Sequence, residues 1–253
     1  MQTNWRYFVP FNFADYTGYL IDLDGTLASG SRLLPGARAL LKTVAGRFAI
    51  VSNDSEHTPD QLARRFRTWK LDVPVERIVL AGVATLEAAA QRHQGGRLML
   101  LGSADLKRMA RNMGFELVNR DAACVIVARD RQFSYQKLSQ AARAVRNGAD
   151  VLVACPDLSH PGSDGYPVPE AGALAAALFA VTGPVPHQVI GKPQPALFRQ
   201  AAERVGIPVE ACVVIGDNPR TDGAGARGLG LPFVQVEPGR LPAMLRETAL
   251  LQS

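Results

Sequence analysis

Tyr19-Leu20-Ile21-Asp22-Leu23-Asp24-Gly25-Thr26 is the stretch on which the reading of the fold turns. Its first three residues form an apolar run of the kind found in strands buried on both faces, and Gly25 turns the chain directly afterwards. Strand side chains alternate between faces, so carboxylates two residues apart, Asp22 and Asp24, are expected to project the same way. Like charges held that close are costly unless a cation or a proton resolves them. A divalent metal between them, with one acid carrying a proton, does so. A strand end followed by an Asx-turn explains the same letters without chemistry, so the pair gains meaning only from what other strand ends carry.

Outward from this strand, apolar runs alternate with helical patterns, which implies an α/β protein with a doubly wound parallel sheet. A helix from Pro35-Gly36 to about Val44, a strand over Arg47–Val51, a helix from Pro59 to about Trp69 and a strand over Arg77–Leu80 come first. A second rhythm starts near Gly82: helix 84–92, strand 97–101, helix 104–113, strand 123–128, helix 134–147 and strand 151–155. A loop rich in Pro, Gly and Ser spans Pro156–Pro169, and an Ala-rich helix runs from about Gly172 to Val181. Gly183-Pro184 and Pro186 mark a linker. Strand Gln188-Val189-Ile190, helix 195–205, strand Cys212–Ile215, a helix after Asp222 and strand Pro232–Val236 complete the pattern. The middle third reads as a domain inserted into another: core 1–81, insertion 82–183, core 184–253.

Composition narrows the function classes. With 47% hydrophobic and 20% charged residues, 253 residues can bury a large core. No apolar run is long enough to cross a bilayer, so a membrane partner is not expected. Met1–Tyr16 lacks the basic-then-apolar order of a signal peptide and is expected to be a short leader to a cytoplasmic protein. The net charge of +5 comes from scattered Arg residues without a nucleic-acid reader motif, so no nucleic-acid partner is expected. Cys124, Cys155 and Cys212 are odd in number and apolar in context, which favours reduced, buried thiols.

Three further strand ends carry groups suited to phosphate. Ala49-Ile50-Val51 leads to Ser52-Asn53 at a helix approach, where a hydroxyl and backbone N–H groups can hold anionic oxygens; capping by Ser52 is the alternative. Val189-Ile190 leads to Gly191-Lys192-Pro193, a cation able to neutralise a phosphoryl group or a carboxylate pair. Val213-Val214-Ile215 leads to Gly216-Asp217-Asn218 and Thr221-Asp222, with carboxylates suited to Mg²⁺. Ligands bind beyond the carboxyl ends of open parallel sheets, and all four groups fall there.

In this arrangement the chain resembles the haloacid dehalogenase-like hydrolases, and more closely their NagD-like branch of p-nitrophenyl and pyridoxal phosphate phosphatases. The spacing agrees: 27 residues separate Asp24 from Ser52 and 139 separate Ser52 from Lys192, so an inserted domain must lie between the second and third motifs. The resemblance implies a Rossmann-like core with an α/β cap of the C2 type. It implies a phosphatase acting on a small phosphorylated metabolite through an aspartyl-phosphate on Asp22. Asp24 would protonate the leaving group and then deprotonate water. Mg²⁺ would be held by Asp22, the Asp24 carbonyl and Asp217. Gly25, Ser52, Asn53 and Lys192 would bind the phosphoryl group, and Thr26 would fix the loop. Asp222 would support the metal or cap a helix. A phosphotransferase and a non-catalytic binding protein are the rival readings, and a homodimer is compatible with the branch.

Substrate choice would fall to the cap segment containing Cys155, Asp157, His160, Pro161, Ser163, Asp164 and Gly165. Cys155 stands where many members of the branch have Asn. His160-Pro161 resembles the pyridoxal phosphatase version, while pyridoxal 5′-phosphate, phosphoglycolate, nucleotides and sugar phosphates all remain open. Arg129 is expected to be solvated, and His57 to lie on the surface.

Overall fold

The computed structural model describes residues 12–162, 164–237 and 239–250. Residues 1–11 of the expected leader, and Ser163, lie outside them. In chain order the elements are β1 (Gly18–Ile21), β2 (Ala28–Ser29), β3 (Arg32–Leu33), α1 (Ala37–Thr43), β4 (Phe48–Ser52), α2 (Pro59–Thr68), β5 (Ile78–Leu80) and α3 (Ala81–Arg92). They continue with β6 (Arg97–Leu101), α4 (Ala104–Asn112), β7 (Glu116–Leu117), β8 (Cys124–Val127), α5 (Tyr135–Arg146), β9 (Asp150–Val153), β10 (Ser159–Pro161), β11 (Pro167–Pro169) and α6 (Ala171–Thr182). The last are β12 (Gln188–Val189), α7 (Pro195–Arg204), β13 (Cys212–Gly216), α8 (Ala224–Gly228), β14 (Phe233–Gln235) and α9 (Leu241–Leu250).

Two five-stranded parallel sheets organise these elements, ordered β14-β13-β1-β4-β5 and β12-β9-β8-β6-β7. Each is buried on both faces, which is why its strands read as unbroken apolar runs. In the first sheet Tyr19, Ile21, Ile50 and Val213 pack on one side, and Leu20, Ala49, Val51 and Val214 on the other. The second sheet divides Leu98, Leu100 and Ile126 from Met99, Val125 and Val127 in the same way. α3 joins the sheets: Ala81 and Ala84 pack with the first, Val83, Leu86 and Ala89 with the second.

Most expected elements form within a residue or two of their anticipated ends, and α2 is opened by Thr58 and Gln61 in a capping box. One strand belongs elsewhere. Gln188–Val189 pairs with β9 of the second sheet, and Ile190 and Gly191 still donate to Val153 O and Ala154 O. The chain therefore leaves the second sheet after Gly191 and not at the Gly183-Pro184 linker. Proline and glycine there end α6, and the backbone beyond them is free to complete the exposed edge of β9. The Pro156–Pro169 loop also contains structure, the antiparallel ribbon β10–β11.

β1 lies at the middle of the first sheet and Leu20 is fully buried. Leu20→Ala is expected to lower unfolding stability by about 2–5 kcal/mol, read from the urea midpoint.

Candidate active site

β1 is where the strand order of the first sheet reverses, with β4 and β5 on one side and β13 and β14 on the other. Such a switch point opens a crevice beyond the strand ends, and Asp22 is the first residue past β1. Its N–H donates to Ile215 O at 2.8 Å, tying it to the neighbouring strand. The carboxylate is almost fully buried. Lys192 Nζ donates to Asp22 Oδ1 at 2.6 Å, to Asp222 Oδ1 at 2.7 Å and to Val51 O at 3.0 Å, so all three of its donors are used. Lys192 is itself buried. Burial works to lower its pKa, but the charges of Asp22 and Asp222 outweigh it and the ammonium is held more firmly than usual. Burial pushes Asp22 up to about 8, against the opposing pull of Lys192 and with the charge of Asp222 adding to it.

Asp22 Oδ2 is buried and has no hydrogen-bond partner. Asp22, Asp217 and Asp222 each offer an oxygen within 4.8 Å of the others. An orphaned buried carboxylate oxygen within an all-oxygen cluster fits a hard divalent cation such as Mg²⁺. Asp217 is half-buried and raised by desolvation and then by Asp222. It reaches over the turn because Gly25 (φ +92) has no side chain: a Cβ there would lie 2.1 Å from Asp217 Oδ2. Asp222 lies inside a π-turn, Pro219–Gly223, whose N-cap is Asn218. Its Oδ1 accepts from Lys192 and its Oδ2 from the Asn218 N–H at 3.3 Å, so it braces the lysine and does not cap the helix.

β1 stops at Ile21, one residue short of Asp22, so strand alternation does not reach the Asp22–Asp24 pair. Asp22 is buried and Asp24 is exposed. Asp217 and Asp222 crowd Asp22, and the charge of Asp24 also acts on it. Asp24 is nonetheless raised, by desolvation against the surrounding loops and then by the charge of Asp54. Thr26 is buried with its hydroxyl unpartnered; the turn is held by backbone bonds from Gly25 to Ala28 and from Leu27 and Ala28 to Leu23.

Ser52 ends β4 and its hydroxyl accepts from the Asp54 N–H at 3.0 Å, bending the chain several residues before α2 starts. Asn53 is occupied at both ends of its amide. Oδ1 accepts from the Lys192 N–H at 2.7 Å, and Nδ2 donates to Lys192 O at 3.1 Å and Asp157 Oδ2 at 2.8 Å. Gly191 makes this possible, because a Cβ there would stand 2.6 Å from Asn53 Oδ1.

The groups expected from the second sheet are spread out. Asp157 meets Asn53 directly. Cys155 is fully buried among apolar residues, with its thiol raised by desolvation, and so offers packing and not a polar contact. His160, half-exposed on β10, has Nδ1 2.7 Å from Glu170 Oε1, and Pro161 is exposed. Arg129 is not solvated: Nη1 lies 3.2 Å from Glu56 Oε2 and 3.4 Å from Glu170 Oε1. His57 is not a plain surface residue either, since Nδ1 meets Asp54 Oδ2 at 2.8 Å. Asp54, Glu56 and Glu170 were invisible as site residues. Asp54 and Glu56 share the loop after β4 with His57, so the Asp54–His57 pair is local, and only the pairing of Glu56 with Arg129 depends on how the two sheets dock.

The chain matches a model described as haloacid dehalogenase-like hydrolase over residues 19–116, and a second HAD-hydrolase-like model over 189–249. It is 31% identical to a dihydroxyacetone phosphatase of Corynebacterium glutamicum, over 87% of this chain and 81% of that protein. A 4-nitrophenylphosphatase from Thermotoga maritima superposes with a TM-score of 0.83 at 30% identity, covering 89% of this chain and 87% of the other. A glycerol phosphate phosphatase from Mycobacterium tuberculosis, in complex with magnesium, superposes with a TM-score of 0.82 at 30% identity, covering 89% and 69%. The chain belongs to the haloacid dehalogenase-like hydrolases, in their NagD-like branch. It is a phosphomonoester hydrolase of that family.

The Asp54–His57 pair beside Asp24 sets a pH window. His57 is raised above 6.5 by its bond to Asp54, so its contribution to stability is complete below 6.5 and is lost as pH rises through the folded value. In Asp54, burial works upward but the bonds and charge of His57 prevail, so it falls below 3.8. Its contribution is therefore present above 3.8 and is lost as pH falls through the folded value. His57→Asn is expected to cost more stability at about pH 5 than at about pH 9, measured by urea unfolding at both.

Proposed function

We propose that the protein is a Mg²⁺-dependent phosphatase of small phosphate esters that works through a phosphorylated Asp22. The observation that carries this reading is the buried Asp22 carboxylate, bonded through Oδ1 to Lys192 and unpartnered at Oδ2. Asp22 attacks phosphorus as the bond to the leaving oxygen breaks, and Asp24 donates a proton to that oxygen. Asp24 then takes a proton from the water that attacks the aspartyl-phosphate, which frees inorganic phosphate and restores Asp22. A raised Asp24 suits a group that must hold and release a proton near neutrality. The Ser52 hydroxyl and the Asn53 N–H would bind the phosphoryl oxygens; the Gly25 N–H is spent on Ala28 O and holds the turn, the three Lys192 donors are taken so that it acts through its charge, and the Asn53 side chain is already engaged as a brace.

Asp22, Asp217 and the Asp24 carbonyl would hold the cation, with Asp222 behind Lys192. A bound Mg²⁺ supplies positive charge that favours ionised Asp22 and offsets the phosphoryl oxygens. Lys192 offsets charge from the opposite side. We divide core from cap by the two sheets; the pairing of Gln188–Val189 with β9 supports a second crossing beyond Gly191 in place of one at about 184. Three free, buried cysteines agree with a reducing, cytoplasmic setting.

Among the candidate leaving groups, a small hydroxylated one is favoured. Arg129 and His57 are each paired with acids, so a carboxylate or second phosphate would have to displace a partner to gain either cation. The relatives named for dihydroxyacetone and glycerol phosphate agree.

Phosphate release from a panel of such esters, with and without Mg²⁺, tests the reading. Asp22→Asn is expected to lower kcat by about 10³-fold or more while the protein still folds. Turnover retained in that variant would remove Asp22 as the nucleophile.

A further inference from the structure

The segment 53–57 after β4 is a strip along which the second sheet docks, and its contacts go beyond Asn53 and Asp157. Ser55 accepts the Arg129 N–H through both O (3.3 Å) and Oγ (3.0 Å). Ser103 Oγ donates to Glu56 O at 2.6 Å. Gly82 packs so closely that a Cβ would stand 2.9 Å from Ser55 Cα. On this strip lies one charged bridge, from Glu56 through Arg129 to Glu170 at the head of α6, with His160 of the β10–β11 ribbon on the same Glu170 oxygen. The side chains are only 17%, 19% and 13% exposed, so water does little to screen them. Arg131, which also approaches Glu56 at 3.7 Å, is 75% exposed and contributes much less.

Arg129 Nη1 touches both acids, and its Nε is buried without a partner. Both contacts are made by this one nitrogen, so the bridge is a single positive charge set between two carboxylates at the reach of an arginine side chain. Without it, Glu56 and Glu170 would face each other partly buried and uncompensated. Arg129 touches none of the atoms assigned to the reaction. It does join the loop that begins with Ser52 and Asn53 to the ribbon and helix head: Asp157, just before the ribbon, bonds Asn53, and the charge of Asp54 on that loop acts on Asp24, Glu170 and His160 alike.

We propose that Arg129 is a positioning residue for the leaving group, bridging Glu56 and Glu170 so that the β10–β11 ribbon and the head of α6 are held against the loop that begins with Ser52 and Asn53. The assignment rests on the phosphatase reading above. A small hydroxylated leaving group has few atoms of its own with which to order that wall, and it leaves as a poor alkoxide that needs Asp24 well placed. A 4-nitrophenolate is stable as an anion and depends on neither. The bridge therefore discriminates between esters.

The test compares wild type with Arg129→Met and Arg129→Lys on glycerol 3-phosphate and on 4-nitrophenyl phosphate, with Mg²⁺ present. Circular dichroism melts are run alongside to confirm folding. Arg129→Met is expected to raise KM for glycerol 3-phosphate about tenfold or more, with a smaller fall in kcat, and to change kcat/KM for 4-nitrophenyl phosphate less than about threefold. Arg129→Lys keeps the charge on a shorter side chain, and is expected to recover part of the loss. If Arg129→Met misfolds, Glu170→Gln serves in its place, with the same selective loss expected. Equal losses on both esters, or no loss on either, would overturn the assignment while leaving the phosphatase reading intact. Wild type that releases no phosphate from either ester would overturn both.

Discussion

A single buried ammonium holds the reactive end of this molecule together. Lys192 stands against Asp22, Asp222 and the Val51 carbonyl, and each contact comes from a different strand end or turn. Taking a charge out of water is expensive, and the expense is recovered only when geometry and hydrogen bonding are complete. Here all three donors are satisfied, so the cluster tolerates little displacement. Removing one partner from such a pair typically costs about 3–5 kcal/mol, because a charge is left buried alone. The positions of Asp22 and Asp222, and through its carbonyl the end of β4, are therefore set by one side chain.

Close approach of backbones lets the cluster form. Gly191 admits Asn53 and the Ala154 carbonyl, Gly216 leaves room for Asp222, and Gly25 for Asp217. At Gly25 the turn also needs a left-handed backbone that other residues adopt only under strain. Beneath these glycines the strands are apolar on both faces and rigid, so polar groups at their ends are carried on a stiff support. The polar side of the arrangement is confined to the loops, where ion pairs and amide bonds join the two sheets.

The pattern of apolar runs made the α/β fold and nearly every helix and strand legible. Parallel sheets buried on both faces leave little ambiguity in such runs. The groups Asp22, Ser52 and Asp217, at or just past buried strands of one sheet, were legible too, since the position of such a residue follows from the strand itself; Lys192 follows β12 of the other sheet, so its strand did not place it. Two kinds of information were missing. Where β1 ended, alternation ended with it, so the relative directions of Asp22 and Asp24 could not be read from their spacing. Pairings between distant loops, such as Arg129 with Glu56, depend on how the sheets dock and leave no local signature. β12 shows a third limit: two residues of strand carry too little pattern to say which sheet they complete.

That short strand has a mechanical meaning. Lys192 is the first residue after Gly191, whose N–H is still bonded to the second sheet, while the lysine side chain is anchored in the first. It therefore acts as a rivet driven through both halves: one short stretch of chain carries a link between the sheets and the counter-charge of Asp22.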